Sequence, residues 1–225
     1  MIPWKLLDSA PVPASDAVLR LYQRGAEFSI RVDSRELMNS RVHGSEDKLA
    51  ELACARIADR RRPRLLIGGL GMGYTLAAAL HRLGPGAQVV VAELVPAVVA
   101  WNRGPLAHLA GRPLQDHRVT VREVDVIRSL EEGPQCYDAV VLDVDNGPAS
   151  LTVQSNDRLY ARAGLDAACA ALRPKGVLAI WSVGPDRPFT QRLRRVGFAV
   201  NEVRVPARGA RGGRPFTLWI AECRR

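Results

Sequence analysis

From residue 64 onward the chain alternates apolar runs with segments of helical rhythm, and this alternation constrains the fold more than any other feature. RLLIGG, AQVVVAE, YDAVVLDVD and GVLAIWS are rich in branched aliphatic residues and show little polar alternation. Between them lie YTLAAALHRLG, VPAVVAWNRGPLAHL, VIRSLEE and RLYARAGLDAACAAL, each with helical periodicity, while HRVTVREVD adds one more strand. Strands that are apolar on both faces must be covered on both faces, which a parallel sheet flanked by helices provides. After the helix PFTQRLRRVG, the segments FAVNEVRVPA and PFTLWIAEC read as a hairpin around an Arg-Gly turn, Ala207 to Arg214. The expectation is an α/β fold: a doubly wound, mostly parallel, seven-stranded Rossmann-like sheet with an antiparallel edge hairpin. Upstream, EFSIRVDSRELMNS predicts a small β-hairpin, and Ser45 is the expected N-cap of a helix through KLAELACARIAD. The first 25 residues carry no firm signal. Residues 1–44 are thus read as a short N-terminal segment with a hairpin, and 45–225 as the Rossmann-like domain.

In a doubly wound sheet, ligands bind beyond the carboxyl ends of the strands. The first such end presents GGLGMG, with Gly69, Gly71 and Gly73 between a strand and a helix. Glycines there let the backbone turn tightly and let a ligand approach the positive end of the helix, although a glycine turn without a ligand has the same sequence. The second strand ends in Glu93-Leu94, 22 residues beyond Gly71, at the distance of an acid that holds ribose hydroxyls. The third ends in Asp125-Val126, placed to meet an adenine, or to cap VIRSLEE, or both. The fourth delivers Asp143 and Asp145 into Asn146-Gly147. Two carboxylates on one side of a strand suit an amine substrate, attracting its charge and taking its proton; alternatively they cap the turn or meet arginines.

The net charge of +9 points to nucleic acid only until its distribution is read. Three residues are lysine and the arginines are scattered; the one dense cluster, Ala207 to Arg214, lacks interleaved aromatic residues. Nucleic acid is therefore not the expected partner. Cys54, Cys136, Cys169 and Cys223 show no paired spacing and read as reduced, mostly buried thiols, and the histidines form no zinc motif, so no metal is expected. There is no apolar run of the roughly 18 residues a membrane span needs, and the first residues do not read as a signal peptide. A cytoplasmic protein without membrane contact is the expectation.

With these residues in place the chain resembles the spermidine synthase (polyamine aminopropyltransferase) family, built on the class I S-adenosylmethionine-dependent methyltransferase fold. The resemblance runs from about Phe28 to Cys223. It matches GGLGMG to the family's glycine loop, with Leu70 where the family carries an acid. It matches Glu93 to the ribose-binding acid, Asp125 to the adenine-contacting acid, Asp143 in DVDNGPA to the catalytic acid, and Leu159-Tyr160 to a following Leu-Tyr. It implies S-adenosylmethionine or its decarboxylated form as cofactor, bound by Gly69, Gly71, Gly73, Glu93, Leu94, Asp125 and Val126. It implies Asp143 as the catalytic residue, Asp145, Asn146 and Tyr160 at the substrate, a small-molecule amine as acceptor, and a homodimer. Besides Leu70, the chain departs from the family elsewhere, and its His43-Gly-Ser-Glu46-Asp47 only loosely echoes the family's Tyr-His-Glu-like segment before the first helix. Asp145 follows Asp143 by two residues where the family's second acid follows by three, the loop before Gly-Pro-Ala is shorter, and the N-terminal β-domain is reduced. Methyl transfer to a small molecule and a non-catalytic adenosyl-binding module are the alternatives these departures leave open.

Overall fold

The computed structural model describes residues 2–144, 158–206 and 215–224. Seven strands form the large sheet: β5 (Arg64–Gly68), β6 (Gln88–Ala92), β7 (Val119–Arg122), β8 (Tyr137–Leu142), β9 (Leu172–Ser182), β10 (Phe198–Val205) and β11 (Phe216–Cys223), in the order β10-β11-β9-β8-β5-β6-β7. β5 to β9 run parallel, while β11 is antiparallel to both β9 and β10. This is the expected doubly wound sheet with its antiparallel edge.

The continuous apolar runs follow from burial on two faces. Leu65, Ile67, Val89, Val91, Ala139 and Val141 face one core, shared with helices α1 (Gly44–Ala55), α2 (Tyr74–Arg82) and α3 (Pro96–Arg103). Leu66, Val90, Ala92, Val140 and Leu142 face the other, shared with α4 (Val126–Leu130), α5 (Arg162–Ala171) and α6 (Arg187–Val196). Neighbouring strand residues point to opposite faces, so both kinds must be apolar. No helix among the described residues is long and apolar enough to cross a membrane.

The N-terminal hairpin is larger than its sequence signal. β3 (Glu27–Val32) and β4 (Arg35–Asn39) are the expected pair, but β1 (Lys5–Pro11) and β2 (Val18–Arg24) extend them into a four-stranded antiparallel sheet. Its inner side, with Leu21, Phe28 and Ile30, joins the first core. Two local expectations are corrected. His43, not Ser45, occupies the N-cap of α1; the Ser45 hydroxyl instead donates to Glu46 at 2.5 Å. Cys169 and Cys223 are joined in a disulfide rather than reduced, because α5 and the end of β11 bring their Cα atoms to 5.9 Å, within bridging range. Cys54 and Cys136 are free.

Candidate active site

The carboxyl ends of β5 and β8 lie side by side, Gly68 paired with Leu142, and the next residues of both strands form the site. The Asp143 amide donates to the Gly68 carbonyl at 2.9 Å, which closes the two ends together. Gly69 has φ +87, and a Cβ there would collide with the Asp143 carbonyl oxygen. Glycine is therefore demanded twice, by the dihedral and by the contact. The loop is held from above by Asn102, whose amide donates to the Gly71 carbonyl at 2.8 Å. Gly73, the N-cap of α2, packs instead against Asn102 and Pro113 and serves the helix start.

Glu93 is buried, and both its oxygens accept backbone hydrogen bonds, from Leu70 in the glycine loop and from Val95, each at 2.8 Å. A carboxylate so held is fixed in place, and it fixes the loop in turn. Asp125 caps α4, its carboxylate accepting from Ile127 at 2.9 Å. Asp143 accepts from the Thr75 hydroxyl at 2.5 Å, a bond that orients its carboxylate.

These residues converge. Gly69, Gly71, Glu93, Leu94, Asp125, Val126 and Asp143 all line one cavity at the sheet edge. Its opposite wall is the small sheet, through Leu19, Ile30, Val32 and Met38. A second cavity of about 250 Å³ adjoins it, sharing Leu37, Met38, Gly71 and Asp143. Asp143 thus stands at the junction. The second cavity is lined further by Glu36, Glu46, Tyr74, Thr75, Trp181 and Phe216. Tyr74 is held by ring stacking on His43, 4.0 Å between centroids, and His43 in turn meets Asp47 at 2.9 Å. Burial pushes the Glu46 carboxyl above the usual range, opposed by the Ser45 hydrogen bond, and burial likewise raises the Tyr74 phenol.

Tyr160 lies apart, buried in the core on the other face of the sheet and edge-on to Phe189 at 5.6 Å. Asp145 and Asn146 lie outside the described residues. Sequence reading did not reach Asn102, Thr75, Trp181 or the apolar wall from the small sheet. Only Thr75 had a signal, a hydroxyl in the first turn after the glycine loop. Among the described residues no group of three His, Cys, Asp or Glu side chains is placed to hold a metal ion.

No protein-family model matches the sequence, nor does any curated protein. Solved structures do. Spermidine synthase from Thermotoga maritima aligns with a TM-score of 0.75 at 15% identity, covering 96% of this chain and 72% of that one. A probable spermidine synthase from Corynebacterium glutamicum aligns at 0.62 and 13% identity, covering 97% and 79%. An O-methyltransferase family protein from Burkholderia thailandensis aligns at 0.56 and 19% identity, covering 80% and 55%. The chain has the class I methyltransferase fold in its spermidine synthase-like form.

Proposed function

From the fold shared with the spermidine synthases, we propose that the chain is a transferase moving an aminopropyl group from decarboxylated S-adenosylmethionine to an amine. One observation carries this reading. The charged side chains lining the two joined cavities, among the described residues, are Glu36, Glu46, Glu93, Asp125 and Asp143, all acids, in a protein of net charge +9. Such a lining selects cations. Decarboxylated S-adenosylmethionine carries a sulfonium and an ammonium and no carboxylate. A carboxylate about 4 Å from one of these acids would be repelled by about 4 kcal/mol at an effective dielectric of about 20, roughly a thousandfold in affinity.

The donor occupies the first cavity, its ribose at Glu93 and its adenine at Asp125 and Val126, under the apolar wall of the small sheet. The acceptor occupies the second. Asp143 at the junction holds the acceptor amine and takes its proton. The nitrogen lone pair forms a bond to the propyl carbon next to sulfur, and the carbon–sulfur bond breaks with its electron pair passing to sulfur, releasing neutral methylthioadenosine. Positioning is the main catalytic contribution, because the sulfonium is already a good leaving group. Thr75 keeps the Asp143 carboxylate turned to the junction.

Calorimetry with the two forms of the donor, followed by a methylthioadenosine assay over a panel of amines, tests the reading. Preference for the decarboxylated donor and release of methylthioadenosine are the expected results. A preference for S-adenosylmethionine moves the assignment to methyl transfer in the same cavity. Binding of neither form leaves a non-catalytic module.

A further inference from the structure

The other end of the large sheet has the reverse charge. α1 packs over β8 and β9 and ends at Ala55, leaving a strip of the β10–β11 face open beyond it. In that strip Asn201 pairs with Ile220, and Glu222 pairs with Val177. It floors a cleft of about 440 Å³ whose walls carry Arg56, Lys175 and Arg224. None of these three cations makes an ion pair or a side-chain hydrogen bond among the described residues. The cations beside them are engaged. Arg173 donates to the buried Asp138 carboxylate at 2.7 Å, Arg60 lies 3.7 Å from the same group, and Arg60 also donates to the Pro174 carbonyl at 2.7 Å. These bonds hold Arg173 and Pro174, just before Lys175, which is itself at φ +61, a left-handed conformation that side-chain-bearing residues rarely adopt. Like charges gathered in one cleft repel, and an anion between them relieves that repulsion.

We propose that this cleft binds a small organic phosphate. Arg56, Lys175 and Arg224 hold the phosphoryl group, and the apolar body lies on Val177 and Ile220. Asn201 and Glu222 hydrogen-bond the polar edge of that body, which is the work a lone acid can do in an otherwise cationic cleft. A nucleoside monophosphate has all three parts. Lys175 and Val177 lie near the start of β9 and Trp181 near its end, so the phosphate cleft and the acidic cavities occupy opposite ends of one strand.

Calorimetry on the full chain at low salt, where such attraction is least screened, tests the site with uridine 5′-monophosphate and inorganic phosphate as probes. The nucleotide should bind saturably and more tightly than phosphate, which lacks the apolar body. Lys175→Gly is the decisive variant, because glycine adopts φ +61 freely and the substitution removes the cation without disturbing the turn. It should weaken nucleotide binding about tenfold, the scale of one charge-assisted contact, with no fall in Tm. Arg224→Ser should weaken it similarly, and Asp125→Asn in the first cavity should leave it unchanged. Absence of saturable binding, equal affinity in Lys175→Gly and the parent, or loss in Asp125→Asn would overturn the site. Phosphate binding as tightly as the nucleotide would overturn the role of the apolar floor.

Discussion

The first cavity has two walls made in different ways. One is the carboxyl edge of the parallel sheet, where Glu93, Asp125 and Asp143 follow the ends of β6, β7 and β8. The other is the small antiparallel sheet, which contributes Leu19, Ile30, Val32 and Met38 and no charge. The acidic wall handles directional groups, so its side chains are fixed by hydrogen bonds: Glu93 by two backbone amides, Asp125 by the Ile127 amide, Asp143 by Thr75. The apolar wall excludes water, a task set by volume and area and not by direction. On the first wall, substitution of Asp143 should therefore alter the chemistry, whereas substitutions in the apolar wall should alter donor affinity alone.

The largest effect should come from the hinge between loop and acid. Gly69→Ala puts a Cβ against the Asp143 carbonyl and forces a left-handed alanine, which alone costs about 1–2 kcal/mol. Thermal unfolding should show a loss of at least about 2 kcal/mol, and calorimetry should show no donor binding. A variant that binds the donor normally would mean the loop does not shape the cavity. Next, Asp143→Asn keeps an oxygen that can accept from Thr75 but removes the charge. Methylthioadenosine release should fall about 10²-fold or more, the scale of a lost general base, with donor affinity nearly unchanged. A comparable drop in donor affinity would blur the division between the walls. On the apolar wall, Leu19→Ala should weaken donor binding about tenfold through lost apolar contact while sparing turnover at saturation.

The same division separates what could be read in the sequence from what could not. Glu93 and Asp143 each end an apolar run, Asp125 ends the strand HRVTVREVD before a helical segment, and Gly69 to Gly73 stand between strand and helix; these signals are local. The apolar wall is not local. β1 and β2 form an antiparallel pair whose strands are exposed or half-buried along most of their length, so their residues lack the continuous apolar signature of β5 or β8. Trp181 joins the second cavity because β9 lies beside β8 with Ile180 opposite Leu142, a register that no motif announces. Cys169 and Cys223 are 54 residues apart and meet only after α5 packs near β11. Tyr160 shows the converse: a residue that resemblance places at the substrate is buried among Phe189 and its neighbours.

The smallest expected effect concerns the acceptor cavity, where an acid is held by α1 rather than by a strand end. Burial is the main cause raising the Glu46 carboxyl, so the folded state binds its proton more tightly than the unfolded chain does. A raised folded-state value means a stability contribution that is fully present below the unfolded value, about 4.3, and is lost as the pH rises through the folded value. Glu46→Gln keeps an acceptor for the Ser45 hydroxyl and removes the titration. The Tm difference between pH 4 and pH 7 should therefore shift toward higher stability at pH 7 in the variant. Because Glu46 is only half-buried, solvent screening limits the change to about 1 kcal/mol, or about 2–4 °C for a domain of this size. If Glu46 also attracts the acceptor cation, the same substitution should raise the acceptor KM and leave donor affinity alone. An unchanged KM would confine the acidic selection of the second cavity to Asp143 and Glu36, and would show that a half-buried acid on a helix contributes less than one fixed at the end of a strand.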